Sequence, residues 1–271
     1  MIDGTQALEL RDISVHYGYA RALERVTFGV APGEVVALLG DNGAGKSTLL
    51  KVMSGVHRPT NGSVMVHGSE HEFRSPRDAA AAGIQMVYQD LALVDSFDIA
   101  SNLALGREKL VKGPLGWLGF LDRSAIRRES QAELDALAVR TAPVTRPVEM
   151  LSGGQRQVVA IARAAARLPE HGILLLDEPT AALGHEQAEL VEELIRSLAA
   201  RGTSIVLVTH NLPLAFAVCD RTVVLNRGRK VADVATSSHD KDLVVSWITG
   251  ASVQEGLDIP GAEDPPGRAR A

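Results

Sequence analysis

The strongest constraint on the fold is a glycine-rich stretch within residues 34–56, where an apolar run leads into a loop and then into a helix pattern. The glycines within residues 40–45 allow the backbone to turn so that successive N–H groups converge on one anion. A helix beginning at Lys46 adds its N-terminal dipole, and in the spacing G-x4-G-K-S the lysine reaches the β- and γ-phosphates while Ser47 ligates Mg²⁺. A glycine-rich turn that binds nothing is the alternative, and the strand-loop-helix setting favours a phosphate cradle.

The composition is that of an ordinary globular protein, and it limits the classes of partner that we expect. The chain has 271 residues, of which 45% are hydrophobic and 23% charged, and its net charge is -5. Because the balance is acidic, nucleic acid is not an expected partner. The single cysteine, Cys219, rules out an internal disulfide and fits a reducing compartment. The N-terminus has no basic stretch followed by an apolar core, so we expect a cytosolic protein that reaches a membrane through a partner.

Continuous apolar runs predict the central layer of the fold. Such runs are typical of parallel strands covered on both faces, with helices in the connections. In one connection, apolar residues repeat at helical spacing through 186–201, and Gly202 is placed to end the helix. The runs are residues 35–39, 84–88, 173–176 and 205–208.

Segments in which apolar and polar residues alternate predict an antiparallel sheet at the edge. Residues 8–17 and 26–30 alternate like half-exposed strands, and 62–68 is a short strand bounded by glycines. Residues 222–225 and 230–235 predict a closing hairpin through an Asn-Arg-Gly turn.

Residues 90–168 carry helix patterns without a further core strand, which predicts an inserted helical lobe. Within this lobe, the Gly/Pro-rich loop 107–121 contains Trp117 and Phe120. These aromatic side chains either dock on a partner or tuck into their own lobe.

Polar side chains follow three of the predicted parallel strands. Asp177 and Glu178 end one buried run, His210 ends another, and Gln89 ends a third. Because parallel sheets place ligands at their carboxyl edge, we expect these side chains to gather beside the phosphate cradle. There Asp177 would hold Mg²⁺ and Glu178 would polarise the attacking water, while His210 would contact the γ-phosphate. Gln89 has an amide that can coordinate Mg²⁺ or water. Each residue alone also fits a solvated or structural strand end.

The sequence Leu-Ser-Gly-Gly-Gln at residues 151–155 opens a predicted helix that runs to about Leu168. Ser152 and Gln155 have the spacing of a capping box, and the two glycines between them expose N–H groups at the helix N-terminus. The simpler interpretation is a well-capped helix. One ATP needs only one helix N-terminus that can bind its phosphates. A second such N-terminus in the same chain therefore indicates pairing between two copies.

Taken in order along the chain, these motifs resemble the nucleotide-binding subunits of ATP-binding cassette (ABC) transporters over most of its length. The resemblance implies an α/β fold: a P-loop NTPase core with a mainly parallel sheet, an antiparallel β edge subdomain and an inserted helical subdomain at about residues 90–168. It implies one domain over residues 1–255, followed by residues 256–271, which we expect to be disordered. It also implies ATP and Mg²⁺ as ligands. Two copies would lie head to tail, with ATP between the cradle of one copy and the signature motif, residues 151–155, of the other.

The resemblance carries roles to individual residues. Gln89 corresponds to the Q-loop, residues 173–178 to the Walker B motif with Asp177 and Glu178, and His210 to the switch histidine. Tyr17 matches the aromatic residue that stacks on adenine, and Tyr19 is the second choice. The signature residues that contact the partner's ATP are Ser152, Gly153, Gly154 and Gln155. The Walker A residues that bind the nucleotide are Gly40, Asp41, Asn42, Gly43, Ala44, Gly45, Lys46, Ser47 and Thr48.

Four further segments, at residues 87–93, 99–103, 105–108 and 248–251, are similar to the cassettes of simple-sugar importers of the ribose, xylose and fructose type. This similarity implies an ATP-hydrolysing motor subunit for a monosaccharide importer. Such a subunit lies peripherally on the cytoplasmic face of the cell membrane, bound to an ABC permease that works with an extracytoplasmic sugar-binding protein. The chain has one set of motifs, so its partner cassette would be a second copy or a different subunit, as a homodimer or a heterodimer.

One departure from the family pattern lies after the Walker B motif. Many members have an aspartate that communicates across the dimer at the position of Gly184. The coupling between the two sites is therefore left open. The alternative function, a soluble ABC ATPase acting on DNA or ribosomes, would call for long coiled coils or cysteine-rich zinc modules, and the interval from Gln89 to Leu151 carries no sustained heptads.

Overall fold

The structure, a computed structural model, describes residues 6–139, 141–181, 183–238 and 241–251. Its strands, numbered along the chain, are β1 Leu8–Tyr17, β2 Ala20–Val30, β3 Val35–Gly40, β4 Asn61–Val66, β5 Ser69–His71, β6 Ile84–Val87, β7 Ile173–Asp177, β8 Ser204–Val208, β9 Arg221–Asn226 and β10 Arg229–Ala235. Its α-helices are α1 Lys46–Met53, α2 Pro76–Ala81, α3 Ile99–Ala104, α4 Pro114–Trp117, α5 Arg123–Ala136, α6 Gly153–Ala165, α7 His185–Ala200, α8 Leu212–Val218 and α9 Lys241–Thr249. The expected disorder of residues 256–271 falls outside the described residues.

A six-stranded sheet in the order β10-β9-β3-β8-β7-β6 forms the centre of the described chain. Strands β9, β3, β8, β7 and β6 are parallel, and β10 is antiparallel to β9. The apolar runs predicted as parallel strands are confirmed, and β3 is buried along its whole length. The predicted hairpin is also present, and its first strand additionally pairs with β3. The carboxyl ends of β3, β8, β7 and β6 therefore lie along one edge.

A second sheet, antiparallel and in the order β2-β1-β4-β5, covers one face of the first. Helix α1 packs between the two sheets, with Leu49, Leu50 and Met53 buried in a cluster that includes residues of both. Strand β5 was not predicted because Ser69–His71 is polar and mostly exposed, so it carries no apolar signal. This packing fixes the direction of α1 and therefore the place where its N-terminus meets the sheet edge.

The other face of the parallel sheet is covered by helices. Residues of α6, α7, α8 and α9 share one apolar cluster with the central strands, and this cluster also buries Cys219. Helix α7 begins and ends within one residue of the prediction, and Gly202 follows it with φ of 86°. Helix α6 ends at Ala165 rather than near Leu168, because the next residues bond at shorter range and Pro169 follows.

The segment 90–168 holds α3, α4, α5 and α6, and the structure describes no strand in it. Its core joins α3, α5 and α6 through residues such as Leu103, Leu134 and Val159. Helix α6 belongs to two clusters, because its Val158 packs against the sheet side and its Val159 packs against the lobe. The helix that begins at Gly153 therefore joins the lobe to the core.

Among the described residues, no helix is both long enough and apolar enough to cross a bilayer.

Candidate active site

The phosphate cradle is a loop between β3 and α1 that only glycine can build at two positions. Gly40 has φ of 151° and Gly45 has φ of 107°. A Cβ atom at Gly40 would overlap the carbonyl oxygen of Leu225 in β9, and one at Gly45 would lie 2.9 Å from the carbonyl oxygen of Ala22. The loop is also held from outside, since Gly228 N–H donates to the Ala44 carbonyl at 2.9 Å. The loop is thus held against the two neighbouring strands.

Lys46, the first residue of α1, turns back over the loop. Its Nζ donates to the carbonyl oxygen of Gly40 at 2.7 Å and to that of Asp41 at 3.1 Å. Burial lowers the pKa of Lys46, while the nearby carboxylates of Glu178, Asp41 and Asp177 oppose that change. The ammonium therefore lies in the same electrostatic neighbourhood as the acids at the end of β7. A phosphate in the cradle would face this charge and the free N–H groups of α1.

Glu178 is held in a network of hydrogen bonds at the junction of β7 and β8. Its Oε2 accepts from the Thr209 hydroxyl at 3.2 Å and from the His210 backbone N–H at 3.4 Å. Its Oε1 lies 2.8 Å from His210 Nδ1. The backbone of Glu178 has φ of 50°, a sparsely populated conformation for a residue with a side chain. The surrounding bonds hold it there, including Glu178 N–H to the Val208 carbonyl at 2.8 Å.

Asp177 is the last residue of β7 and is half-buried. Burial raises the pKa of its carboxyl, the neighbouring Glu178 raises it further, and Lys46 and Lys51 act in the opposite direction. The carboxylates of Asp177, Glu178 and Asp41 outnumber the two lysines, and the excess of negative charge favours a cation.

The residues expected to hold Mg²⁺ fit that ion chemically. Asp177 offers carboxylate oxygens, Ser47 a solvent-accessible hydroxyl in the first turn of α1 and Gln89 an exposed amide beyond β6. Mg²⁺ prefers such hard oxygen donors and keeps several waters. Within the described residues there is no cluster of three or more His, Cys, Asp and Glu side chains that could hold a metal by itself. The oxygen set at this edge is therefore suited to a metal that arrives with a phosphate ligand.

Gln89 is linked to the helical lobe through the chain that follows it. Arg163 of α6 donates to the carbonyl oxygens of Leu91 at 2.7 Å and Ala92 at 2.8 Å. Burial lowers the pKa of the Arg163 guanidinium. These bonds attach the segment after β6 to the helix that begins with the glycine pair at 153 and 154.

The N-terminus of α6 has the capping box that the sequence predicts. Gln155 N–H donates to Ser152 Oγ at 3.3 Å, and Ser152 N–H donates to Gln155 Oε1 at 3.1 Å. Ser152 and Gly153 are exposed. Gly154 is buried against α7, where a Cβ atom would lie 2.7 Å from Gln187 Cβ. The helix start is thus firmly capped and leaves its first residues open to a ligand.

Tyr17 lies at the end of β1, next to the tight turn that leads into β2. Its ring is partly exposed and lies 4.9 Å from the ring of His57, which follows α1. Tyr19, the second choice, is fully exposed. Stacking of either ring on adenine stays a prediction.

Thr209 is the site residue that sequence reasoning missed. It is fully buried at the end of β8 and supplies the hydroxyl that holds Glu178. The same oxygen accepts from Asn211 N–H at 2.9 Å, which fixes its orientation. The position of Thr209 just before His210 is the one feature of the sequence that could have indicated this role. A hydroxyl residue at the end of a strand is too common to assign a role by itself.

The family model described as ABC transporter matches residues 23–181. The chain belongs to the ABC transporter family. The fructose import ATP-binding protein FrcA of Rhizobium meliloti is 42% identical over 246 residues, which cover 90% of this chain and 94% of that protein. The xylose/arabinose import ATP-binding protein XylG of Sulfolobus acidocaldarius is 44% identical over 222 residues, covering 82% of this chain and 85% of that protein.

Solved structures of ABC proteins have the same fold. A nucleotide-free ATP-binding cassette from an ABC transporter matches with a TM-score of 0.75 and 22% identity, covering 93% of this chain and 99% of that chain. A dimeric ATP-binding cassette in a post-hydrolysis state, bound to ADP and Pi, matches with a TM-score of 0.66 and 25% identity, covering 84% of this chain and 98% of that chain. The predicted fold class is confirmed, and the chain is an ABC ATPase that binds ATP.

Proposed function

We propose that this ABC ATPase is the motor subunit of a monosaccharide importer, with Glu178 as its general base. The observation that carries the catalytic assignment is the position of Glu178, whose carboxylate is fixed by Thr209 and His210 at the sheet edge that also holds Lys46. A carboxylate held in this way can orient a water and accept its proton as the oxygen attacks the γ-phosphorus.

The other site residues would position ATP for that attack. The N–H groups of the cradle and the Lys46 ammonium would bind the phosphates. Ser47, Asp177 and Gln89 would hold Mg²⁺, which neutralises phosphate charge when it is bound. His210 contacts Glu178 through Nδ1, so it can orient the base while its exposed ring reaches toward the γ-phosphate. These roles need no residue outside the one carboxyl edge.

The signature helix supports a composite site between two cassettes. Ser152 and Gly153 are exposed at the capped start of α6, where N–H groups and the helix dipole favour an anion. Residues 152–155 of one copy would contact the ATP held by the cradle of the other, in a homodimer or a heterodimer. Because ADP lacks the γ-phosphate that links both halves, hydrolysis would favour the open state.

The transport role rests on the relatives. FrcA and XylG carry names that describe sugar import, and both match more than four fifths of this chain. We infer a membrane permease as the partner, an extracytoplasmic sugar-binding protein that acts through it, and a peripheral position on the cytoplasmic face of the membrane. The alternative of an ABC ATPase acting on DNA or ribosomes has no support in these relatives.

A matched pair of arginine substitutions tests the composite site. Ser152→Arg should block ATP-driven dimerisation, measured by light scattering, yet leave ATP binding by the monomer intact. Ser75→Arg is the control, because Ser75 also caps a helix in a capping box, at α2. We expect Ser75→Arg to dimerise. Loss of monomer binding in Ser152→Arg, or equal dimerisation by both variants, would contradict a role for α6 in a partner's site.

Affinity capture from gently solubilised native membranes, followed by mass spectrometry, tests the transport role. We expect a multi-span permease and a sugar-binding protein to be captured with this chain, and the captured system identifies the sugar for uptake assays. Capture of ribosomal or DNA-repair proteins without a membrane subunit would keep the ATPase and discard the importer.

A further inference from the structure

An exposed apolar loop projects from the helical lobe. We call residues 110–121 the apolar loop; it contains one lysine, no acidic residue and seven large apolar residues. Trp117 is 95% exposed and Leu118 is 71% exposed. Soluble proteins seldom leave a contiguous patch of this kind uncovered unless it binds something. The other exposed members are Leu110, Leu115, Phe120 and Leu121.

The exposure is built into the loop. Its two ends are joined by a β-bridge between Leu110 and Leu121, and Val111 N–H donates to the Phe120 carbonyl at 2.9 Å. Between them lies α4, and the loop closes so tightly that no Cβ atom fits at Gly116 beneath the Val111 carbonyl. The stem is held to α5 because Asp122 accepts from Ala125 N–H at 2.8 Å. A closed stem therefore presents the apolar tip in one shape, which lowers the entropy cost of binding.

Lys112 is the one charged residue within the apolar loop, and side chains of both signs surround the base of the loop. Lys109 pairs with Glu129 at 2.7 Å. Lys112 and Arg123, both exposed, form no ion pair with the residues that the structure describes. The acids nearest to them in sequence are Asp122, which caps α5, and Glu108, which accepts from Gly106 N–H at 3.0 Å. The acid-free loop therefore presents apolar side chains together with Lys112, and Arg123 lies next to it, which is complementary to a surface that is apolar below and anionic above.

We propose that the apolar loop is an interfacial anchor that inserts into a bilayer containing anionic phospholipids. Trp117 and Leu118 enter the boundary between headgroups and acyl chains, where tryptophan is favoured, and Lys112 and Arg123 contact lipid phosphates. The proposal rests on the proposed function in one respect, because a cassette bound to a permease lies beside a bilayer. The anchor adds a lipid contact of the chain's own to the one made through the permease.

Tryptophan fluorescence tests the anchor directly, because the chain has two tryptophans. Trp247 is 1% exposed, so it is already shielded and serves as a constant background. The full chain is titrated with vesicles of phosphatidylcholine containing phosphatidylglycerol, and with vesicles of phosphatidylcholine alone. We expect a blue shift and quenching by brominated acyl chains with the anionic vesicles. Trp117→Phe should abolish the fluorescence response while it keeps the apolar tip.

Charge reversal provides the second measurement. Lys112→Glu combined with Arg123→Glu should weaken binding to the anionic vesicles, measured by co-sedimentation, by roughly tenfold or more, since each basic residue near such a surface contributes about fivefold. Leu118→Ser should weaken binding to the same vesicles. Neither variant touches the nucleotide site, so the ATPase activity of the free chain should be unchanged.

Three results would overturn the anchor. No vesicle response by the unmodified chain would do so, and so would a blue shift seen only with purified permease in detergent, which identifies a protein partner. A shift that grows with protein concentration in the absence of vesicles would identify a second copy instead. Vesicle binding by a chain that fails to hydrolyse ATP would refute the proposed function and support the anchor, whereas ATP hydrolysis without vesicle binding would refute the anchor alone.

Discussion

Glu178→Gln should separate catalysis from stability. In the structure both Thr209 Oγ1 and His210 N donate to one oxygen of Glu178, and His210 Nδ1 lies 2.8 Å from the other oxygen. A glutamine can place its carbonyl oxygen at the first position and its amide NH₂ at the second. A neutral imidazole protonated on its other nitrogen then accepts from that NH₂, so all three hydrogen bonds are retained.

The expected magnitudes follow from this geometry. Because no donor is left unpaired, we expect the free energy of unfolding to change by less than about 0.5 kcal/mol. Turnover should fall by roughly 10²-fold or more, the scale of losing a general base, which corresponds to about 2.7 kcal/mol in the barrier. ATP affinity should change little, because the cradle and Lys46 are untouched.

Glu178→Ala is the matched comparison. It removes all three bonds and leaves the hydroxyl of Thr209, which is fully buried, without its acceptor. Leaving a buried donor unpaired costs about 1–3 kcal/mol, so this variant should lose both turnover and stability.

The assays for both variants are phosphate release at saturating ATP and Mg²⁺, nucleotide affinity by titration, and urea unfolding. Turnover of Glu178→Gln within tenfold of the unmodified chain would remove Glu178 from the role of base. A loss of stability as large as that of Glu178→Ala would refute the hydrogen-bond argument.

Three further changes test the site. Lys46→Ala should weaken ATP binding itself, and an unchanged affinity by titration would contradict the cradle assignment. Asp177→Asn should abolish Mg²⁺-dependent turnover yet raise the free energy of unfolding of the nucleotide-free chain at neutral pH, because it removes a carboxylate whose charged form burial disfavours. The pKa of the Asp177 carboxyl is raised in the folded state. The gain in the free energy of unfolding should therefore be complete at pH values above this raised pKa, and it should disappear as the pH falls toward the pKa of the unfolded state. Urea unfolding at several pH values measures this dependence. Gly184→Asp should stabilise α7 by a few tenths of a kcal/mol, since Gly184 is its N-cap in an extended conformation with open space around it; a lower Tm would contradict this.

The sequence predicted the site through local chemistry. The cradle, the capping box at Ser152 and the polar residues after β6, β7 and β8 each depend on residues close together in the chain, where spacing alone determines geometry. The rule that parallel strands share one carboxyl edge predicts that Gln89, Glu178 and His210 lie close together, and the structure shows the contact between Glu178 and His210. The roles of these residues in binding and catalysis stay predictions.

The features that escaped prediction depend on contacts between distant segments. The parallel pairing of β9 with β3 is set by packing, and the polar strand β5 forms only because β4 offers it an edge. The role of Thr209 depends on its hydrogen bond to the side chain of Glu178, which lies 31 residues earlier in the sequence. For the loop 107–121 the sequence left docking and tucking equally open, and the structure shows Trp117 exposed.

The two hydrogen bonds from Arg163 to the carbonyl oxygens of Leu91 and Ala92 attach α6 to the segment after β6 near the C-terminal end of the helix. This attachment is a point about which α6 can tilt. Ser152 lies about 16 Å away along the helix, at ~1.5 Å per residue. A tilt of about 5° at Arg163 would therefore shift Ser152 by roughly 1.4 Å, about the difference between a hydrogen bond and no bond. A tilt of α6 passed on from the segment after Gln89 would thus produce its largest displacement at the far end of the helix, where a neighbouring copy's phosphate would be sensed.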